Sequence, residues 1–194
     1  MTASSGEASS SRIKHHKPYF TPVEVERLSS KQRGKLSVSR EERGRQQACG
    51  FIDAVGTRCG FPRRTMATAQ SLYMRFHLFF PYKEFNHVEV ALSTLYVSSK
   101  LHDTLKKPRD IIAASYIVRF PNLVKKGTIA PEAINPQMAE HDRSKVLMIE
   151  RLVLETMCFN FKVEVGFPMV VKLAKKLGLK KDVGLSGWKV VVDW

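Results

Sequence analysis

The segment from Phe85 to Leu101 is apolar on almost every side, and this feature constrains the fold more than any other. Valine, alanine, leucine and tyrosine surround a helix drawn through the segment, and small serines fill the gaps between them. A helix that is apolar all round is a buried helix, since a surface helix keeps a polar face. The segment therefore predicts the central helix of a helical bundle.

Other segments carry apolar residues at helical spacing, with proline or glycine near their ends. No segment alternates convincingly between apolar and polar residues, so we expect no strands and an all-α fold. Four of the helices join the central one in a single five-helix domain, and shorter helices precede and follow that domain. The predicted helices are a short one opening at Thr21, one opening at Ser39 and ending at Cys59, then 62–80, 111–119, 138–159 and 168–177, and 121–137 is predicted to be a long loop.

Changes in composition divide the chain into four parts. The first is small and polar and is expected to be a disordered tail. The last begins with a short amphipathic helix, after which the chain is expected to trail off, with Trp188 and the valines at 190–192 lacking partners. The four parts are a tail at 1–17, a helix and linker at 18–38, the five-helix domain at 39–163 and a C-terminal part at 164–194.

Two helix starts are predicted from capping boxes, in which a hydroxyl side chain is followed three residues later by a glutamate. Thr21 with Glu24 opens the short N-terminal helix, and Ser39 with Glu42 opens the first helix of the domain. The polar stretch 29–38 is expected to link them.

The charge balance is strongly basic, with 32 Lys and Arg against 18 Asp and Glu, giving +14. Such an excess favours polyanionic partners. The basic residues are scattered and interleaved with acids, however, and no basic run alternates with aromatics as in a single-strand platform. We therefore expect a solvated basic surface and no direct sequence-specific contact with nucleic acid.

Cysteine usage and hydropathy exclude several classes of protein. Three cysteines without C-x-x-C spacing fit neither a disulfide framework nor a common zinc site, so no metal is expected. No apolar run approaches the roughly 18 residues of a membrane span, and the polar N-terminus does not resemble a secretory signal. A reducing compartment, cytoplasm or nucleus, is expected, without a membrane partner.

Catalytic motifs are absent from the sequence. We find no glycine-rich phosphate loop, no H-E-x-x-H, no G-x-S-x-G and no kinase signature set. His77 and His87 are interpreted as packing or capping residues rather than catalytic bases. The chain is therefore predicted to be no enzyme, with no catalytic residue and no cofactor.

Several ordered motifs resemble a cyclin box. The run ALSTLYVSSKLHDTLKK at 91–107 looks like the third helix of the box and the turn after it, and VLMIERLVLETMCFNF at 146–161 looks like the fifth helix. PRDII at 108–112 resembles the start of the fourth helix, while Tyr19-Phe20-Thr21 and RQQA at 45–48 resemble the beginning of the box in transcription-type cyclins. Within that family the motifs resemble the fungal cyclin (beta) subunits of kinases that phosphorylate the C-terminal domain of RNA polymerase II.

The resemblance implies a regulatory, nuclear role in transcription elongation. Cyclins bind the catalytic subunit of a cyclin-dependent kinase and stabilise its active arrangement. By resemblance, Lys100 and Glu150 match the pair that contacts the kinase, and Tyr19 and Phe20 are further candidates. Asp103 is a less certain candidate, because the family usually has an acidic pair where this chain has His102-Asp103. The resemblance also implies that 164–194 is the incomplete start of a second cyclin box, and it leaves open whether a third subunit joins the complex.

Simpler interpretations of the same residues stay open. A lysine at a helix C-terminus is favoured by the helix dipole alone, and Glu150 could be an ordinary solvent-facing residue. A second class of function also stays open, because factor IIB-like transcription factors contain the same five-helix box and bind DNA and polymerase. The absence of metal ligands typical of their zinc ribbon weighs against that class.

Overall fold

The computed structural model describes residues 17, 19–125, 128–129, 135–163 and 166–193. Within these residues the protein is almost entirely helical, which confirms the predicted all-α class. Its helices, in chain order, are α1 Pro22–Arg33, α2 Val38–Arg58, α3 Arg63–Phe76, α4 His87–Leu101, α5 Pro108–Arg119, α6 Pro136–Thr156, α7 Phe167–Lys176 and α8 Lys181–Asp193.

Helix α4 is the buried centre of a five-helix bundle formed by α2 to α6, as the sequence predicted. The Asn86 side chain accepts a 2.9 Å hydrogen bond from the Val88 amide and starts the helix. Every residue from Val90 to Ser99 is buried. Helices α2, α3, α5 and α6 all pack against α4, so its middle, from Val90 to Ser99, has no face left for solvent.

Small polar side chains let the other helices approach α4 closely. Their hydroxyls are buried but satisfied, because they donate to backbone carbonyls: Ser99 to Tyr96 at 2.8 Å and Thr94 to Ala91 at 2.9 Å. Ser98 donates instead to the Thr65 carbonyl of α3 at 2.5 Å. These bonds remove the penalty for burying a hydroxyl without a partner.

The N-terminal elements are more ordered than predicted. The capping box of Thr21 and Glu24 at the start of α1 is confirmed. Helix α1 then runs to Arg33 through residues expected to be linker, and Ser29 is buried and accepts a bond from Arg45 at 3.2 Å.

The start predicted for α2 is wrong by two residues. Ser37, not Ser39, caps this helix and accepts from the Arg40 amide at 3.3 Å. Glu41, in the first turn, is buried and accepts hydrogen bonds from both Arg33 and Arg45. The bond to Arg33 joins α1 to α2.

The connection from α5 to α6 contains short ordered elements where an irregular loop was predicted. A 3-10 turn spans Pro121–Leu123, and two-residue strands β1 Val124–Lys125 and β2 Thr128–Ile129 pair in antiparallel register. These strands are the exception to the prediction that no strand forms.

The C-terminal part is also more ordered than expected. Residues predicted to trail off form α8, which packs on α7 where a Cβ on Gly184 would lie 3.6 Å from Ala174 and one on Gly187 would lie 3.8 Å from Val170. The side chains of 188–193, and the whole of the predicted tail apart from Lys17, lie outside the described residues. None of the described helices is both long and apolar enough to cross a membrane.

Candidate functional site

Lys100 and Glu150, fifty positions apart in sequence, form an ion pair on the bundle surface. The Lys100 ammonium lies 2.6 Å from Oε1 of Glu150 and 4.1 Å from the centre of the Tyr96 ring. The Lys100 side chain is 43% exposed and that of Glu150 is 15% exposed. The pair is therefore accessible to a partner, while the Tyr96 ring helps to hold the Lys100 ammonium in place.

Helix packing brings the two residues together. Lys100 lies in the last turn of α4, and Ile149 and Val153 of α6 are fully buried. Glu150, next to Ile149, therefore lies at the edge of the α4–α6 contact. One or two turns earlier, the Ser93 hydroxyl is 3.1 Å from the Val146 carbonyl, so the two backbones are close there.

The surroundings of Lys100 keep its ammonium charged. Partial burial by itself lowers the pKa of Lys100, but the hydrogen bond to Glu150 and the contact with Tyr96 outweigh it, so the pKa is raised. The site presents a fixed donor and a fixed acceptor side by side. Such charged groups make directional bonds with backbone groups of a partner.

Asp103 lies in the turn after α4, with a left-handed backbone at φ 53° that aspartate tolerates better than most residues. Its amide donates to the Lys100 carbonyl at 3.4 Å, and its side chain is exposed. The preceding His102 is anchored by a 2.8 Å bond between Nε2 and the Thr68 hydroxyl. Asp103 thus adjoins the pair through the backbone without a side-chain contact to it.

Tyr19 and Phe20 lie on a different part of the domain, beside Arg75. The Phe20 ring packs 6.1 Å from Phe79 and 5.2 Å from the Arg75 guanidinium. Arg75 in turn donates to the carbonyl of Thr156 at 2.7 Å, at the end of α6. The Tyr19 side chain is 62% exposed.

This part of the surface contains a groove that was not predicted. It has a volume of about 610 Å³, and neither Lys100 nor Glu150 lines it. Burial lowers the pKa of Arg75. Its guanidinium donates to the carbonyls of Thr156 and Lys17 and lies over the Phe20 ring. No local sequence pattern marks Arg75, because its partners come from distant segments.

Of the two histidines interpreted as packing or capping residues, His77 is buried, whereas His87 is exposed and Asn86 caps the helix instead. His77 is buried and stacked on Tyr82 at 3.9 Å, and its Nδ1 lies 3.3 Å from the Phe80 carbonyl. Burial lowers its pKa to about 4. His87 is the first residue of α4. Across the described ranges, no three His, Cys, Asp or Glu side chains are grouped so that they could hold a metal ion.

The family description "Cyclin, N-terminal domain" matches residues 18–162, which include α1 to α6 and the Lys100–Glu150 pair. The chain belongs to the cyclin family. This confirms the resemblance inferred from the motifs, and with it the prediction of a regulatory, non-catalytic chain.

Relatives of this cyclin include kinase subunits. It is 33% identical over 193 residues to the "CTD kinase subunit beta" of Schizosaccharomyces pombe, covering 100% of this chain and 55% of the relative. It is 30% identical over 176 residues to human Cyclin-K, covering 90% of this chain and 28% of the relative. The cyclin thus spans about half or less of the length of these curated relatives.

The fold of the cyclin also matches a solved structure, titled "Crystal Structure of the yeast RNA Pol II CTD kinase CTDK-1 complex". The TM-score is 0.79 at 24% identity, over 95% of this chain and 56% of the matched chain. At this identity the match shows the fold.

Proposed function

We propose that this cyclin binds and activates a cyclin-dependent Ser/Thr kinase that acts on the C-terminal domain of RNA polymerase II, in the nucleus and in support of transcription elongation. The observation that carries the proposal is the accessible Lys100–Glu150 pair at the α4–α6 edge. The names of two similar proteins support the choice of kinase, since both refer to a kinase of the polymerase C-terminal domain.

The pair contacts the kinase in this proposal. Lys100 donates to a kinase backbone carbonyl, and Glu150 accepts from a kinase backbone amide. Asp103 lies where the turn after α4 can add a further contact, and Tyr19 and Phe20 provide a separate contact through the N-terminal segment. The number of further subunits in the complex is left open.

Activation follows from selective binding. A cyclin that binds only the active arrangement of the kinase shifts the population toward it, by as much as its affinities for the two arrangements differ. In kinases that arrangement includes the Lys–Glu ion pair of the ATP site. The cyclin supplies no catalytic group and no cofactor.

We also infer that 39–163 is the first cyclin box and that α7 and α8 begin a second one. Two observations support this division. Helix α7 exposes Met169 and Leu173, at 66% and 56%, and α8 exposes Val183 and Leu185, at 53% and 48%. The curated relatives extend well beyond the aligned length.

The proposal is tested by capturing kinase from nuclear extract with the tagged 194-residue chain and assaying a polymerase C-terminal-repeat peptide with ATP. We expect kinase activity with the wild-type chain and a loss of about tenfold or more with Glu150→Lys or Lys100→Glu, since hydrogen bonds to charged groups contribute about 1.5–3 kcal/mol. Both variants should keep the far-UV helical signal.

Glu140→Lys is the matched control for the glutamate reversal. Glu140 is also on α6, and its exposed ion pair with Arg143 is 3.0 Å long. This control should capture the kinase normally. Normal capture by Glu150→Lys would refute the docking pair, and salt-dependent DNA binding by a chain that captures no kinase would favour the factor IIB-like alternative.

A further inference from the structure

Six exposed cations lie together at one end of the bundle, formed by the end of α2, the start of α3 and the turn from α4 into α5. We call these residues the basic end surface. They are Arg58, Arg63, Arg64, Lys106, Lys107 and Arg109.

Side-chain bonds hold these segments together. The Thr65 and Thr104 hydroxyls are 3.2 Å apart and join the first turn of α3 to the α4–α5 turn. Nearby, the Thr68 hydroxyl and Nε2 of His102 are 2.8 Å apart, which adds a second bond between α3 and the end of α4. Burial raises the pKa of the Cys59 thiol to about 11 and Lys106 opposes that shift, which places the Lys106 ammonium near the end of α2. The surface is therefore one fixed patch.

The patch carries unbalanced positive charge. Arg63 pairs with Asp53 at 3.0 Å, and Arg109 lies 3.6 Å from Asp110. Within the part of the chain that the structure describes, Arg64, Lys106 and Lys107 form no ion pair. The like charges of these three cations repel one another, so the fold alone gives no reason to gather them there.

The local helix electrostatics add to this cost. Arg63 and Arg64 occupy the first turn of α3, which contains no acidic residue. Cations are disfavoured at a helix N-terminus, because the dipole is positive there. An anionic partner would relieve both the repulsion and the dipole effect.

The composition of the patch favours a peptide over a nucleic acid. The neighbouring Phe61 is only 5% exposed, so its ring is not available for base stacking. Leu105, directly before the two lysines, is 65% exposed. A peptide that alternates phosphates with apolar side chains pairs its phosphates with these cations and packs an apolar group against Leu105.

We propose that the basic end surface binds segments of the polymerase C-terminal repeats that are already phosphorylated. The inference rests on the proposed function, which supplies the substrate. Each phosphate carries about −1.5 to −2 charges near pH 7, and two phosphates on neighbouring repeats engage cations on different segments of the patch. The turn that carries Lys106 follows directly after α4, whose last turn holds Lys100, so in this proposal the substrate is held near the kinase contact and is retained for further phosphorylation.

The test measures binding of the isolated chain to fluorescent repeat peptides by anisotropy, with and without phosphate on two serines. We expect the phosphorylated peptide to bind at least tenfold more tightly, with affinity falling as salt rises. Lys106→Glu combined with Lys107→Glu should weaken that binding at least tenfold, as should Arg64→Glu. The matched control reverses the doublet on α7, Lys175→Glu with Lys176→Glu, and should change it less than twofold.

Several results would overturn the proposal. These are equal affinity for both peptides, tighter binding of single-stranded RNA of equal charge, or unchanged binding by the Lys106/Lys107 variant with its helical signal intact. The test is independent of kinase capture, because Glu150→Lys should still bind the phosphopeptide and the Lys106/Lys107 variant should still capture kinase. A failure of either proposal is thus distinguished from a failure of the other.

Discussion

Arg119 donates a hydrogen bond of 2.8 Å from Nη1 to Oδ2 of Asp142, and this contact joins α5 to the first half of α6. The Tyr116 hydroxyl donates to the same oxygen at 3.1 Å. Asp142 is 8% exposed, and both donors bind its Oδ2. Burial, followed by the nearby Asp142, raises the pKa of Tyr116 to about 12.

Asp142→Ala should destabilise the domain by about 3 kcal/mol, because it leaves a hydroxyl and a guanidinium without their acceptor. Urea unfolding followed by circular dichroism measures this change. Glu140→Ala on the same helix removes only an exposed ion pair and should cost less than about 1 kcal/mol. Equal losses of stability in the two variants would show that the buried contact contributes no more than the exposed ion pair.

Two glycines of α2 should respond in opposite directions to alanine. A Cβ on Gly56 would lie 2.6 Å from both Cγ and Sδ of buried Met66, whereas one on Gly50 would meet nothing within 4 Å. Gly50→Ala should therefore stabilise by about 0.5–1 kcal/mol through helix propensity. Gly56→Ala should destabilise by about 1–2 kcal/mol, since overpacking a core commonly costs about 1–3 kcal/mol. Thermal unfolding of both variants measures whether each substitution raises or lowers stability. A stabilised Gly56→Ala would contradict the close contact between Gly56 of α2 and Met66 of α3.

His77 should make the domain sensitive to acid. Its pKa is lowered from 6.5 to about 4 on folding, so the unfolded chain binds a proton first as the pH falls. Stability is then full above about pH 6.5 and declines until about pH 4, by as much as about 3 kcal/mol. His77→Phe and His77→Gln both lack the imidazole and should flatten the same part of the profile in urea titrations between pH 7.5 and 4. A wild-type slope in both variants would rule out His77 as the source.

Leu95→Asp should unfold the domain, because Leu95 is fully buried on α4 and a carboxylate there has no partner. The milder Leu95→Ala should cost about 2–5 kcal/mol through the cavity it leaves. Leu147→Asp on α6, where the side chain is 37% exposed, provides the control and should stay folded. A cooperative, helical Leu95→Asp protein would mean that α4 is not the centre of the core.

The central helix could be predicted because apolar residues cover almost every side of it, and only a buried position removes all of them from water. Lys100 and Glu150 could be singled out only through family resemblance, since their 2.6 Å contact depends on how α4 and α6 cross. The start of α2 was misplaced because Ser37 and Ser39 both offer a suitable hydroxyl. In the structure the Ser37 hydroxyl accepts from the Arg40 amide, and no local pattern distinguishes the two serines.

Helix α8 was missed for a related reason. Gly184 and Gly187 suggest an irregular chain when considered alone, because glycine disfavours helices. In the structure they permit close packing against Ala174 and Val170 of α7. The groove beside Phe20 was missed because its walls come from segments far apart in sequence.

The Ser93 hydroxyl bonds the Glu89 carbonyl at 2.7 Å and lies 3.1 Å from the Val146 carbonyl, so its small size sets the separation of α4 and α6 at that level. Ser93 is fully buried, yet it helps to set the distance between Lys100 and Glu150 on the surface. During divergence, a bulkier side chain at this interior position would spread the two charges while every surface residue stayed the same, and in the proposed complex it would misalign the kinase contact. The geometry of the proposed docking pair is thus set partly in the core.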